Sequence, residues 1–435
     1  MPPNNKKGPT GSKYQKPGGG SVNISEKSSR KTLQHSDENV KQESQILNLV
    51  SYLFFWSEKY DDNLQKVWNK LPTVVGSVVA SIAVFIFGIT ARGEWMIFAV
   101  YLYKYIQTSG SPTYKEESEQ LFESTTDWLN VRFEGYWTTW VWSTSISYLV
   151  YFGLGGFLHW YYYVRQRDRP EDWKCQPQKW LSPELERHEI MIGSLSLVFG
   201  SAISAAISTY VVNGGKAIWL YLNPSEYGYI WLVLQVPLVF IYQDYMTYWH
   251  HRIYHTPFLY KNFHKLHHTY KQPTAFSVTA IHPVEFVHMQ CVLLSALFVV
   301  PVFWLNYAVM MGYVYYHGII DHSGINFKRK WWQPWQPDCI FHDNHHQYFH
   351  VNFGFNIEYW DHLHGTYRKN DRIYREDIYY GQGKAMSEAS IDEIKSEIEE
   401  RKSENPLAYP ENKYGYDLDV KVGGTTAGGK KRGKK

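Results

Sequence analysis

The sequence predicts an all-α fold, a polytopic bundle of membrane helices with a helical cap. Three observations lead there. Long uncharged runs recur along the 435 residues, although polar tails bring the mean hydropathy down to −0.41. Aromatic residues make up 17%, with 18 Trp and 36 Tyr, which suits belts of amphipathic rings at headgroup level. Histidine is crowded: of 19 in the chain, only His35, His159 and His188 lie outside residues 250–364.

Four regions follow in order. Residues 1–45 are rich in Pro, Gly, Ser and Lys and read as a disordered polar tail with no cleavable signal peptide. Residues 46–225 form an N-terminal transmembrane region, residues 226–370 a histidine-bearing domain, and residues 371–435 a soluble C-terminal tail with a basic end. Within the second region, 46–70 reads as a short amphipathic helix around Leu47, Val50, Leu53 and Phe54. Residues 71–91 carry no charge and are long enough for a hydrocarbon core of about 30 Å. Residues 94–106 are apolar but short and read as interfacial, and 116–134 is acidic and soluble. Residues 135–164 and 190–215 are further uncharged runs, the latter rich in small residues that permit close helix packing. Residues 227–249 make another span, charged only at Asp244, ending directly on the first histidine cluster.

Residues 286–320 contain no Lys, Arg, Asp or Glu and have Pro301 near their centre. His282 stands before this run, and His317 and His322 at its far end. If both ends serve one site the run must fold back, so a helical hairpin turning near Pro301, each leg just about crossing the core, is expected. In the tail, Ser390-Ile391-Asp392-Glu393 has the form of a capping box, opening a helix along Ile391, Ile394 and Ile398 that ends before Pro406. The Lys-rich end after Gly423 reads as a segment attracted to anionic headgroups.

Loop charge sets orientation. Arg165, Arg167, Arg169, Lys174 and Lys179 place that loop in the cytosol. Running the spans onward puts His250, the chain after Ile320 and the N-terminal tail on the same side. If 94–106 crosses instead, the N-terminus moves to the lumen and Asn23 becomes a glycan acceptor.

The histidines form HHRIYH at 250–255, HKLHH at 264–268 and HDNHH at 342–346. Residues three and four apart share a helix face, so each cluster can present two or three imidazoles to one point. Taken singly, His35, His188 and His288 read as capped or solvated residues; three spaced clusters read as a metal site. Imidazole suits iron, zinc, copper and nickel. Zinc needs only three or four ligands, which leaves too many. There is no HExxH, and the Glu-x-x-His of ferritin-like bundles occurs once, as Glu285 with His288. An all-histidine dinuclear site able to bind and activate dioxygen remains. Cys175, Cys291 and Cys339 form no CxxC, so no disulfide framework or thiolate zinc site is indicated. The net charge of +3, with no basic stripe, indicates no nucleic-acid partner. No GxGxxG follows a strand, so electrons must come from outside. Lys261, Lys265, Lys271, Lys328, Arg329 and Lys330 flank the clusters; they would steer an acidic carrier or meet lipid phosphates.

HRIYH, HKLHH and HDNHH resemble the HxxxH, HxxHH and HxxHH boxes of the fatty acid hydroxylase/sterol desaturase superfamily. Tyr248-Trp249, the stretch from Ala280 to Glu285, Asp321-His322-Ser323-Gly324, Asn352-Phe353-Gly354 and Trp360-Asp361 strengthen the resemblance, which covers roughly 230–370. It implies a membrane-bound non-haem di-iron oxygenase of the endoplasmic reticulum. Such an enzyme takes dioxygen as co-substrate and electrons from a cytochrome b5-type donor and its reductase. Its metal site faces the cytosol and its substrate is a membrane lipid. Two iron ions would be held by His251, His255, His264, His267, His268, His322, His342, His345 and His346, with His250, His282 and His317 ranked lower. Asp244, Asp321, Asp343 and Glu285 are candidate acceptors for imidazole N–H groups. A sterol is the first substrate class, by likeness to C-4 methylsterol oxidases and C-5 sterol desaturases. Sphingoid-base or fatty-acyl hydroxylation stays open, as does a non-catalytic metal-dependent scaffold.

Overall fold

The computed structural model describes residues 61–72, 74–76, 78, 79, 125–215, 219–409, 421, 422, 425 and 426. The expectations for 1–45, 94–106, most of 46–70 and of 71–91, and the basic end lie outside the described residues. The described chain is mostly helical, and its strands are pairs of two residues each.

Helix α1 (Thr125–Arg132) leads into α2 (Tyr136–Val150). The helical path then runs on unbroken to Val164 through π-helical turns at Tyr151–Gly155 and His159–Val164. Helix α3 (Pro183–Val212) opens on Ser182, whose side chain accepts from Leu185 N at 3.3 Å, with Pro183 in the first turn. Its buried face is small, through Gly193, Ser196, Gly200 and Ala205, while Leu195, Phe199 and Val212 point outward. That is the reverse of a soluble amphipathic helix and the pattern of helices that pack closely in lipid. At Gly193 the lack of a Cβ matters, because Tyr151 packs where that atom would stand.

Thr125–Val164 and Pro183–Val212 are long and apolar enough to cross a membrane. The expected spans at 227–249 and within 286–320 are helical but are not among these two. Helix α4 (Tyr229–Tyr254) has its apolar course broken by buried Gln235, Gln243 and Asp244, and its last turn carries histidines. Helix α5 is Pro257–Asn262. Helix α6 (Pro283–Leu294) has 12 residues, about 18 Å at 1.5 Å each, less than a hydrocarbon core needs.

The chain turns back near Pro301 as expected, although its first helical leg is shorter than expected. Helix α6 gives way to a 3-10 turn at Ser295–Phe298, the chain reverses at Pro301, and α7 (Trp304–Asp321) returns. Strand β1 (Leu220–Tyr221) pairs in parallel with β2 (Val302–Phe303) beside the reversal. Two side chains of α4 satisfy the broken backbone there: Trp231 Nε1 donates to Pro301 O at 2.9 Å, and Gln235 Oε1 accepts from Phe303 N at 2.7 Å.

The cap holds a 3-10 turn at His264–Thr269, α8 (Ile340–Tyr348) and α9 (Tyr359–His364). The pair β3 (Arg372–Ile373) and β4 (Lys384–Ala385) follows, then α10 (Ile391–Arg401). The capping box of Ser390 and Glu393 forms as expected. Buried Arg401 pairs with Glu397 at 2.9 Å and donates to Arg372 O at 2.8 Å, tying α10 to β3. Residues up to 409 pack on the outer side of α8: Gln347 Nε2 donates to Glu400 O at 3.1 Å, and Arg368 pairs with Glu404 at 2.9 Å.

Candidate metal centre

Four segments deliver the histidines to one place. His251 and His255 end α4; His264, His267 and His268 ride the 3-10 turn; His322 follows α7; His342, His345 and His346 line α8. All nine imidazoles named from the sequence come together, in two buried groups. His251, His255, His264, His268 and His345 form one, and His267, His322, His342 and His346 the other, with donor atoms in each group within 4.8 Å of one another.

Each HxxHH cluster divides between the two groups, where the sequence reading had each serving a single point. Consecutive residues on a helix diverge by about 100°, so His267 and His268, or His345 and His346, cannot face the same centre. The second cluster also sits on a 3-10 turn rather than an α-helix. The two groups are therefore interlocked, and both HxxHH clusters build both.

Orientation comes from the far ring nitrogens. His251 Nδ1 lies 2.8 Å from Phe353 O, His345 Nδ1 2.7 Å from Val351 O and His322 Nδ1 2.7 Å from Gly318 O. His264 Nδ1 meets Glu285 Oε1 at 2.6 Å, and His255 Nδ1 meets His350 Nδ1 at 2.9 Å, while His350 Nε2 donates to Glu376 O at 2.8 Å. A proton held at Nδ1 leaves Nε2 as a lone-pair donor. Nε2 of His251, His255 and His345 are buried with no hydrogen-bond partner among the described residues, an arrangement costly for polar atoms unless something fills the centre. Burial, reinforced by neighbouring imidazoles, holds His267, His268, His342, His345 and His346 well below the usual histidine range. They are neutral at physiological pH, as a ligand must be. The donor set fits a pair of transition-metal ions.

The other named residues have different partners. His250 packs on Tyr254 outside both groups, and His282 caps α6 by accepting from Val284 N at 3.2 Å. His317 pairs with Asp321 at 3.0 Å. Of the carboxylates, Glu285 alone touches a grouped imidazole among the described residues; Asp244 accepts from Asn356 and Trp360, and Asp343 from Gln176 at 2.9 Å. Several flanking cations already have anionic partners: Lys261 with Asp61, Lys265 with Glu376, Lys328 with Asp338 and Arg329 with Glu358.

Sequence reasoning missed His350 and the way the 349–354 loop orients imidazoles, although it singled out Asn352-Phe353-Gly354. Phe349 and Asn352 adopt positive φ, at 67° and 55°, so that Val351 and Phe353 turn their carbonyls to two imidazoles. Asp361 braces this loop by accepting from Phe353 N at 2.8 Å and Gly354 N at 2.7 Å. The histidine two residues beyond α8, in HDNHHQYFH, was the available signal for His350.

A cavity of about 770 Å³ opens from the imidazoles. His251, His264, His267 and His322 close one end, and Leu222 and Trp304 stand at the other. Its lining follows α7 from Trp304 to Gly318, about 20 Å at 1.5 Å per residue, between walls from α3, α4 and α6.

Residues 236–366 match the family model described as fatty acid hydroxylase. The chain is 29% identical over 178 residues to a Delta(7)-sterol 5(6)-desaturase of Aspergillus fumigatus, covering 41% of this chain and 49% of the relative. It is 29% identical over 198 residues to the Candida albicans Delta(7)-sterol 5(6)-desaturase, covering 43% and 49%. To lathosterol oxidase of Rattus norvegicus it is 27% identical over 231 residues, covering 52% and 75%. The chain thus spans about half the length of the fungal relatives named here. No solved structure matches it.

Proposed function

We propose, from the match of residues 236–366 to the fatty acid hydroxylase model, that the chain is a membrane-bound, dioxygen-dependent lipid oxidoreductase of the non-haem di-iron type. The observation that carries this reading is the junction of two all-imidazole groups with one elongated apolar cavity. In this reading the five-histidine group holds one iron and the four-histidine group the other. Bound iron of this kind supplies the oxidising power that an unactivated C–H bond requires.

The protein's own part is to bind, orient and exclude water. Leu297, Met311 and Val314 hold an apolar body along α7, and buried imidazoles keep bulk water from the reacting carbon. Glu285 and His350 fix the rings of His264 and His255. A sterol is the favoured substrate, because the relatives are named as sterol desaturases and the cavity is long and mainly apolar. Desaturation removes two hydrogens from adjacent carbons. Dioxygen becomes two waters, with two electrons from the substrate and two from an external carrier. A cytochrome b5-type donor with its reductase, on the cytosolic face of the endoplasmic reticulum, completes the reading.

The test is anaerobic loading of the purified full chain with ferrous iron, followed by dioxygen, reductant and a Δ7-sterol, a sphingoid base or a fatty acyl lipid. Two irons per chain and dioxygen-dependent loss of sterol C–H are expected. Iron binding at background level, or no lipid product from any of the three, would sink the proposal. Zinc found after overexpression would decide nothing, since divalent affinity rises from iron to zinc.

A further inference from the structure

The loop between His322 and α8 carries Phe327-Lys328-Arg329-Lys330-Trp331-Trp332 and, after Pro334, Trp335. Trp331 is 91% exposed, Trp332 50% and Trp335 44%. Three indoles shown to water in one loop are costly, and such a patch marks an interaction surface. Its position indicates what covers it. Gln333 Nε2 donates to Tyr313 Oη at 3.2 Å, and Tyr313 Oη donates to Gln336 Oε1 at 3.1 Å. Tyr313 lies eight residues before Asp321 on α7, about 12 Å down the helix axis from the metal end. The loop therefore turns back from the cap along an apolar helix.

A matching patch stands beside it. Phe327 packs on Tyr162 at 5.8 Å between ring centroids, and the outer face of that neighbouring helix shows Phe157 and Trp160, with the Arg165 guanidinium 5.3 Å from the Trp160 ring centre. In the loop, Lys330 Nζ lies 5.2 Å from the Trp332 ring centre. Exposed indoles with cations beside them are the chemistry of a phospholipid interface.

We propose that residues 327–336 are an interfacial anchor, with Trp331, Trp332 and Trp335 entering the headgroup region of the bilayer and Lys330 meeting anionic headgroups. The inference rests on the membrane-bound reading above and goes beyond it. Since Tyr313 belongs to the helix that lines the cavity, the anchor sets the depth at which that helix, and so the cavity, meets the lipid.

The test uses the full chain with Cys291→Ser, leaving buried Cys175 and Cys339 in place. Single nitroxides go on Trp331→Cys, Leu195→Cys and Asp392→Cys, in phosphatidylcholine/phosphatidylserine vesicles. Collision with dioxygen and with a water-soluble nickel chelate is measured. The label at 331 should lose nickel access as the one at 195 does, while 392 keeps it. Lys330→Glu should restore part of that access in anionic vesicles and leave pure phosphatidylcholine vesicles unchanged. A label at 331 as open to nickel as 392, with 195 protected, overturns the anchor while the membrane reading stands. Shielding at 331 that appears only on adding a soluble electron carrier assigns the patch to a protein instead and also overturns it. Nickel access at 195 removes the membrane reading and the anchor with it.

Discussion

His267 and His345 belong to different groups although both sit inside HxxHH clusters. His267→Ala should empty the four-histidine centre and His345→Ala the five-histidine one. Each variant should then bind one iron fewer per chain and form no product, read by elemental analysis and turnover. Two irons with wild-type product in either variant would end the assignment. Glu285 and His350 act through their neighbours, at 2.6 and 2.9 Å from His264 and His255. Alanine at either should weaken iron affinity about 10–100-fold, the usual cost of losing a partner that orients a ligand. His282→Ala is the control: it removes a helix cap, costs about 1 kcal/mol of stability and leaves iron affinity alone.

Two elements carry contrasting consequences. The 349–354 loop is held in strained backbone by α9, whose Asp361 accepts from Phe353 N, Gly354 N and the Thr366 hydroxyl at 2.6 Å. Asp361→Ala leaves buried donors unpaired at about 1–3 kcal/mol each and frees the Phe353 carbonyl that orients His251. Melting temperature and iron content should fall together; a drop in melting temperature with full iron content would remove the orienting role. Helix α10 gives the opposite outcome. Ser390→Ala breaks the capping box at a cost of about 1 kcal/mol, seen in denaturant unfolding, with no change in iron content.

At the scale of the molecule, the two groups join α4, the 3-10 turn, α7 and α8 at one point. A ligand that binds only the folded state stabilises it by mass action, about 4 kcal/mol at a thousand times its dissociation constant. Chelation should therefore lower the melting temperature of the whole cap, and ferrous iron should restore it. The reversal at Pro301 brings the end of α7, with His322, back to the other histidines. Single cysteines at Arg167, Gln272 and Glu388 should all react with an impermeant reagent added outside sealed microsomes. One at Ser225, beside the reversal, should react only once the membrane is opened. If Gln272 and Ser225 report the same side, the membrane arrangement proposed here fails.

The spacing of three and four marked three histidine clusters as a metal site, because it is a local property that helical geometry carries forward; the set of nine, His322 among them, came from the resemblance to the superfamily's boxes. The sequence by itself also determined the reversal at Pro301, through a missing N–H and an uncharged run too long for one helix, and the start of α10, through Ser390 and Glu393. Other features depended on the tertiary structure. Division of each HxxHH cluster between two centres follows from where α7 and α8 stand relative to the 3-10 turn. The shortness of α6 was hidden because an uncharged run does not reveal where a helix ends within it. The carbonyls of Val351, Phe353 and Gly318 orient three imidazoles, yet every residue has a carbonyl, so nothing in a sequence singles these out. His350 reaches His255 across 95 positions, and such contacts are decided by packing between elements rather than by any local period.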